Sequence, residues 1–124
     1  RSSAASDVYK RQIYDKARDL AKAMAESEEY VSYKNAKEKA FANDTTKALL
    51  KEYMTLRIRM QGALVSGQKD DEAMERLQKI GEVLQLNPDA SAYLMAEYRL
   101  NTMLGDVYKI LADGIDLDLG LSED

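Results

Sequence analysis

The side chains with chemistry to offer in this 124-residue chain are carboxylates, arginines, lysines and tyrosines, because it contains neither histidine nor cysteine. Those two absences remove the commonest general base, the thiol nucleophile, disulfides and most transition-metal ligand sets. A catalyst built from the remainder would have to run on carboxylates, hydroxyls or lysines, and no glycine-rich phosphate loop or nucleophile elbow accompanies them. Carboxylates paired at helical spacing suggest a di-metal bundle, but such centres take a Glu-x-x-His motif from each of two helices. Asp113, Asp116, Asp118 and Gly120 faintly resemble a calcium loop. The glycine and the bidentate glutamate are misplaced against D-x-[DN]-x-[DN]-G-x5-E, so a solvated acidic tail is the better expectation. The expectation is a protein that is not an enzyme and uses no metal or other cofactor.

Binding is the other chemistry open to these residues. Arg57, Arg59, Arg76 and Lys79 would form a basic patch if the third and fourth helices are neighbours, and such a patch could touch RNA. Ordinary surface solubility is the favoured account of them. The net charge of −4 is uneven: Arg1, Lys10 and Arg11 outweigh Asp7 in the first twelve residues, which leaves −6 for the rest. Beyond Lys109 come only acids, among them Asp113, Asp116, Asp118, Glu123 and Asp124, and such a tail repels phosphate backbones. Direct nucleic-acid binding is therefore disfavoured and stands as the alternative. The eight tyrosines would stack on bases in a single-strand binder, but beside leucines at helical spacing they read as core or interface packing. Glu97 and Arg99 lie within an apolar stretch, either held by a partner across a seam or simply exposed.

The elements that must carry these residues are helical throughout. One proline, six glycines and abundant Ala, Leu, Glu, Lys, Met and Arg favour helix, and no alternating run is long enough for a strand. A first helix is expected from about Asp7 or Ile13 to Ala25, with Ile13, Ala17, Leu20 and Met24 in one stripe that Tyr14 and Ala21 widen. Ser27 caps a second, with Glu28 and Glu29 in its first turn and Tyr30, Tyr33, Ala36, Ala40 and Phe41 on its apolar side. Asp44 is expected to cap a third helix to about Val65, whose apolar residues form two rows. Ser66 to Lys69 make a loop before an acid-led fourth helix carrying Met74, Leu77, Ile80, Gly81 and Leu84. Asn87-Pro88 opens the last helix, because asparagine caps well and proline at the first position gives up an N–H that had no helical partner.

The fold class expected is all-α, about five helices in a compact array or bundle with a long last helix. One domain spans residues 13–112. Residues 1–12, RSSAASDVYKRQ, resemble translated adapter sequence and are read as a non-native or disordered leader, while 113–124 form an acidic tail that either frays or lays an apolar edge on the body. The last helix reaches about Ala112, roughly 35 Å at 1.5 Å per residue, more than a domain of this size needs for its own core. Part of it is therefore expected to meet a second chain, giving a homodimer. The candidate interface is Tyr53, Leu56 and Met60 on the third helix, with Tyr93, Glu97, Arg99, Leu100, Met103 and Leu104 on the last. No run of about 20 apolar residues or cleavable signal is present, so no membrane insertion is expected and the cytoplasm is the expected compartment.

The segment IYDKARDLAKAMAESEEYVSYKNAKEKA, the helix ending QGALVSGQ and the segment LNPDASAYLMAEYRLNTMLGDVYKILADGIDLDL together resemble the YlbF/YheA/YmcA family of Firmicutes. The likeness runs from about Ile13 to Leu119 and lies in helix order and length, the SEEY entry to the second helix and the AEYR stretch of the last. It implies a small helical regulator that associates with itself or with relatives. It further implies an adaptor role in a complex that modulates the membrane-bound endoribonuclease Y in mRNA processing and decay, with effects on competence, sporulation and biofilm formation. Some relatives carry C-terminal cysteines linked to iron–sulfur clusters; this chain has none and resembles the cysteine-free, YheA-like side of the family.

Overall fold

The computed structural model describes residues 2–118, and among these the regular structure is five α-helices: α1 (Ser2–Ala25), α2 (Glu28–Phe41), α3 (Asp44–Val65), α4 (Asp71–Gln85) and α5 (Pro88–Gly114). Their boundaries follow local chemistry. The Ser27 hydroxyl accepts from Tyr30 N at 3.1 Å, and the Asp70 carboxylate from Ala73 N at 3.1 Å. Each cap satisfies an amide that the first helical turn leaves without a partner. The cap of α3 is Asn43, which accepts from Thr46 N at 2.9 Å, and not Asp44. Asp44 is instead the first helical residue, where its charge meets the positive end of the helix dipole. The first helix also begins earlier than its apolar stripe does, at Ser2, with no breaker between there and Ser27.

Asn87 serves two helices at once. Its Oδ1 accepts from Asp89 N and Ala90 N at 3.0 and 3.1 Å, starting α5, while its Nδ2 donates to the Thr46 hydroxyl at 3.0 Å. Thr46 is buried at the start of α3, so this bond ties the first turns of α3 and α5 together. Two helices end in the same left-handed turn. At the end of α3, Gly67 has φ of 71°, and Gln68 N reaches back to Ala63 O at 2.8 Å. At the end of α5 the left-handed residue is Asp116, with φ of 56°, and Leu117 N reaches Ala112 O at 2.8 Å. Glycine takes that conformation without steric cost, and aspartate does not.

The core forms among α2, α3, α4 and the first half of α5. Ala40, Leu50, Leu56, Ala73, Ile80, Leu84, Ala90 and Tyr93 are buried together, with Tyr33, Phe41, Tyr53 and Leu77 packed around them. α2 lies chiefly on α5, and α3 on α4. A chain of rings binds the first of these pairs: Tyr33 and Phe41 lie 5.6 and 5.4 Å from the Tyr93 ring, centroid to centroid, within the span of favourable aromatic contact. Ala40 and Ala90 are buried in the same cluster as Tyr93. α1 stands apart, with α2 its one substantial neighbour, and every residue from Ala4 to Ala23 is exposed.

Candidate functional site

The apolar stripe of α5 changes surroundings half-way along. Ala90, Tyr93 and Ala96 are buried and Leu100 half-buried, whereas Leu104, Tyr108 and Leu111, which continue the same face at helical spacing, are exposed. The cause is length. α2 has 14 residues, about 21 Å at 1.5 Å per residue, whereas the 27 residues of α5 span about 40 Å. The second half of α5 outruns its cover, apart from Met103 and Val107, which are half-buried, and Ala112, which is buried where the terminal turn folds back on it. α1 repeats the situation: Ile13, Tyr14 and Leu20 are exposed, and only Met24 is half-buried.

The size of this uncovered area can be gauged. The chain exposes 9820 Å². A compact monomer of 14.0 kDa exposes about 6,700 Å² by the usual scaling of surface with mass. The excess of roughly 3,100 Å², polar and apolar surface together, reflects helices that their own chain leaves uncovered.

The candidate interface residues fall into three environments. Leu56 and Tyr93 lie in the core of their own chain, and Tyr53 and Met60 pack against it, so these four face inward. Burial, and after it the neighbouring Tyr33 hydroxyl, pushes the Tyr93 phenol well above its ordinary value, which keeps it neutral. Glu97 is held within the chain: both its oxygens accept from Arg57 Nη2, at 3.1 and 3.2 Å. That guanidinium also lies 5.4 Å from the Tyr53 ring centroid, so α3 and α5 are tied by a charge pair resting on an aromatic face. Leu100 and Met103 are half-buried, and Arg99 and Leu104 are exposed. Tyr108 and Leu111 extend that exposed end, although the sequence reasoning did not single Tyr108 out. Its signal was the length of α5 set against that of α2.

Three of the four basic residues are paired with carboxylates of the same chain. Arg57 is committed to Glu97. Arg59 grips Asp70 through Nε and Nη2, at 2.6 and 3.1 Å, and Arg76 grips Glu52 in the same forked way, at 2.8 and 3.0 Å. The Arg76 fork holds the Glu52 carboxyl below its ordinary value, and the Arg59 fork, with the Ala73 amide, does the same to Asp70. Each arginine thus brings its own carboxylate, and Lys79 alone has no ion pair among the described residues. Among the described residues no group of three or more acidic side chains is placed to hold a metal ion; Gly120 lies outside them. No helix of the described residues is long and apolar enough to cross a membrane.

Two shallow grooves flank the core. The one between α4 and α5, about 310 Å³, is lined by Leu84, Leu94, Met95 and Tyr98. Another of about 320 Å³ lies where the start of α2 meets the middle of α5, between Glu29 and Tyr98, Met103 and Asp106. The first presents few polar groups, whereas Glu29, Arg99, Thr102 and Asp106 line the second.

Comparison with known proteins agrees with this architecture. The chain is 38% identical over 112 residues to a UPF0342 protein of Halothermothrix orenii, covering 90% of this chain and 93% of that one. It is 36% identical over 108 residues to a UPF0342 protein of Symbiobacterium thermophilum, covering 86% and 96%. Its fold is similar to that of a protein of unknown function (DUF964) from Bacillus stearothermophilus, with a TM-score of 0.70 at 19% identity over 85% of this chain and 93% of that one. It is also similar to a chain in the crystal structure of Bacillus subtilis RicA in complex with RicF, with a TM-score of 0.58 at 17% identity over 85% and 94%. The sequence model of the family described as "Control of competence regulator ComK, YlbF/YmcA" matches residues 13–116, and the chain therefore belongs to the YlbF/YmcA family.

Proposed function

We infer that this chain is a non-catalytic adaptor that acts in the cytoplasm by protein–protein contact, forming a homodimer and docking onto related family chains. The observation that carries this reading is the uncovered apolar face running along α1 and the second half of α5, on a chain exposing 9820 Å². A solved relative of the same fold is a complex of two proteins, RicA with RicF, which makes partnership with relatives a natural use for such a face. The regulated process is mRNA processing and decay by endoribonuclease Y, with the developmental programmes that depend on it, as the family resemblance implies. The working domain of this reading is residues 13–112.

Direct RNA binding has less support. Three of the four basic residues it needs are neutralised by carboxylates of the same chain. Co-expression of the tagged chain with the YlbF/YmcA relatives and the endoribonuclease Y of one host, followed by co-purification and gel filtration, tests the adaptor reading. A stable complex with at least one of them is expected, and its persistence at high salt would mark an apolar contact. Failure to retain any of them, together with salt-dependent binding to RNA, would contradict the reading.

A further inference from the structure

The geometry points to a specific arrangement of two copies, resting on the self-association proposed above: the α1 stripe of each copy covers the exposed second half of α5 on the other. Both surfaces are helical, apolar along one face and left bare by their own chain. Ile13, Leu20 and Met24 line α1, and Leu104 and Leu111 line α5 at the same helical period, as ridges that pack into grooves require.

α1 as a whole is longer than the second half of α5, but its Ile13–Ala25 part covers about 20 Å, close to the roughly 21 Å of the 14 residues of α5 beyond Leu100 at 1.5 Å per residue. Their charges are opposite. In Ile13–Ala25, Lys16, Arg18 and Lys22 outweigh Asp15 and Asp19, and Lys10 and Arg11 against Asp7 add to the excess. In the second half of α5, Lys109 stands against Asp106 and Asp113, and Asp116 follows in the terminal turn. A net-positive helix therefore meets a net-negative one, whereas pairing α1 with α1, or α5 with α5, sets like charges together.

Within one chain the substantial neighbour of α1 is α2, not the second half of α5. A free α1 also has little reason to be a helix in water, where most helical stability comes from packing an amphipathic face. A second copy related by a two-fold axis supplies both missing surfaces at once, since an isologous pair makes each contact twice.

The absence of cysteine allows a direct test in the 124-residue chain. Leu20 and Leu111 are 36% and 54% exposed, so L20C and L111C leave the single-chain core intact, which helix content by circular dichroism checks. Chains carrying L20C and chains carrying L111C are co-expressed and treated with a short bis-maleimide, and the covalent dimers are sorted by peptide mass. The arrangement predicts that 20-to-111 links outnumber 20-to-20 and 111-to-111 links by at least about tenfold. It also predicts that the doubly substituted L20C/L111C chain crosslinks between copies. Dominant like-with-like links would overturn the exchange while leaving self-association standing. A link within one chain, at monomer mass, would overturn it by placing α1 on its own α5. No link at all would overturn it too, and the separate co-purification with relatives would then decide the adaptor reading.

Discussion

The two halves of α5 carry the same kind of face in different surroundings. From Pro88 to Leu100 the face is closed by α2 and α4; from Asn101 to Gly114 it is largely open. Apolar residues at i, i+3, i+4 and i+7 are needed by a core and by an interface alike, so periodicity says that a face wants cover and not who covers it. What separates the halves is the reach of the neighbouring helices, and the stability of this chain is therefore concentrated in one half and its capacity for association in the other.

The sharpest contrast between the halves is Tyr93 against Leu111. Tyr93→Ala removes a buried ring that touches both Tyr33 and Phe41, and is expected to cost about 3–5 kcal/mol in urea unfolding, enough to unfold a marginal domain. Leu111→Ala, in an exposed side chain, is expected to shift the unfolding of the dilute single chain by less than about 0.5 kcal/mol while weakening self-association. Equal losses in the two variants would erase the distinction.

Asn87→Ala comes next. It removes the cap of α5 and leaves the buried Thr46 hydroxyl without its donor, so a loss of about 1–2 kcal/mol is expected in the same unfolding assay. Asn87→Asp keeps the capping oxygen and should recover part of it. A smaller effect of opposite sign is expected at the far end, where Asp116→Gly relieves a left-handed conformation and should raise the melting temperature by the equivalent of about 0.5–1 kcal/mol.

The smallest effect concerns pH. The carboxyls of Glu52 and Asp70 are held below their ordinary values in the folded chain, so their pairs contribute stability that is present above the unfolded carboxylate pKa of about 4. That contribution is lost as pH falls through the lower folded values. Melting curves between pH 7 and pH 3 should thus fall less steeply for Glu52→Gln than for the unsubstituted chain. Identical pH dependence would remove the pairs from the account.

Much of this architecture was legible in the sequence, and the limits are physical. Ser27, Asn87-Pro88 and the acids around Asp70 mark helix starts because capping is local chemistry, decided within four residues. Asn43 and Asp44 are adjacent residues that can both cap, and the sequence offered no means of choosing between them. Leu56 and Tyr93 belong to the same stripes as Leu100 and Leu104, so interface and core were indistinguishable until the lengths of α2 and α5 were set side by side. The partners of Arg57, Arg59 and Arg76 lie 40, 11 and 24 residues away, on separations that follow from helix packing alone. The isolation of α1 was invisible for the same reason, because its stripe looks like that of any helix folded onto a core.

Sedimentation equilibrium of the 124-residue chain over a wide range of concentrations tests the central claim most directly. The account predicts a mass approaching twice 14.0 kDa, with Leu111→Asp shifting the association to at least about tenfold higher concentration while helix content is retained. A mass that stays at 14.0 kDa at every concentration would contradict it, because the open half of α5 would then be a surface that no second copy covers.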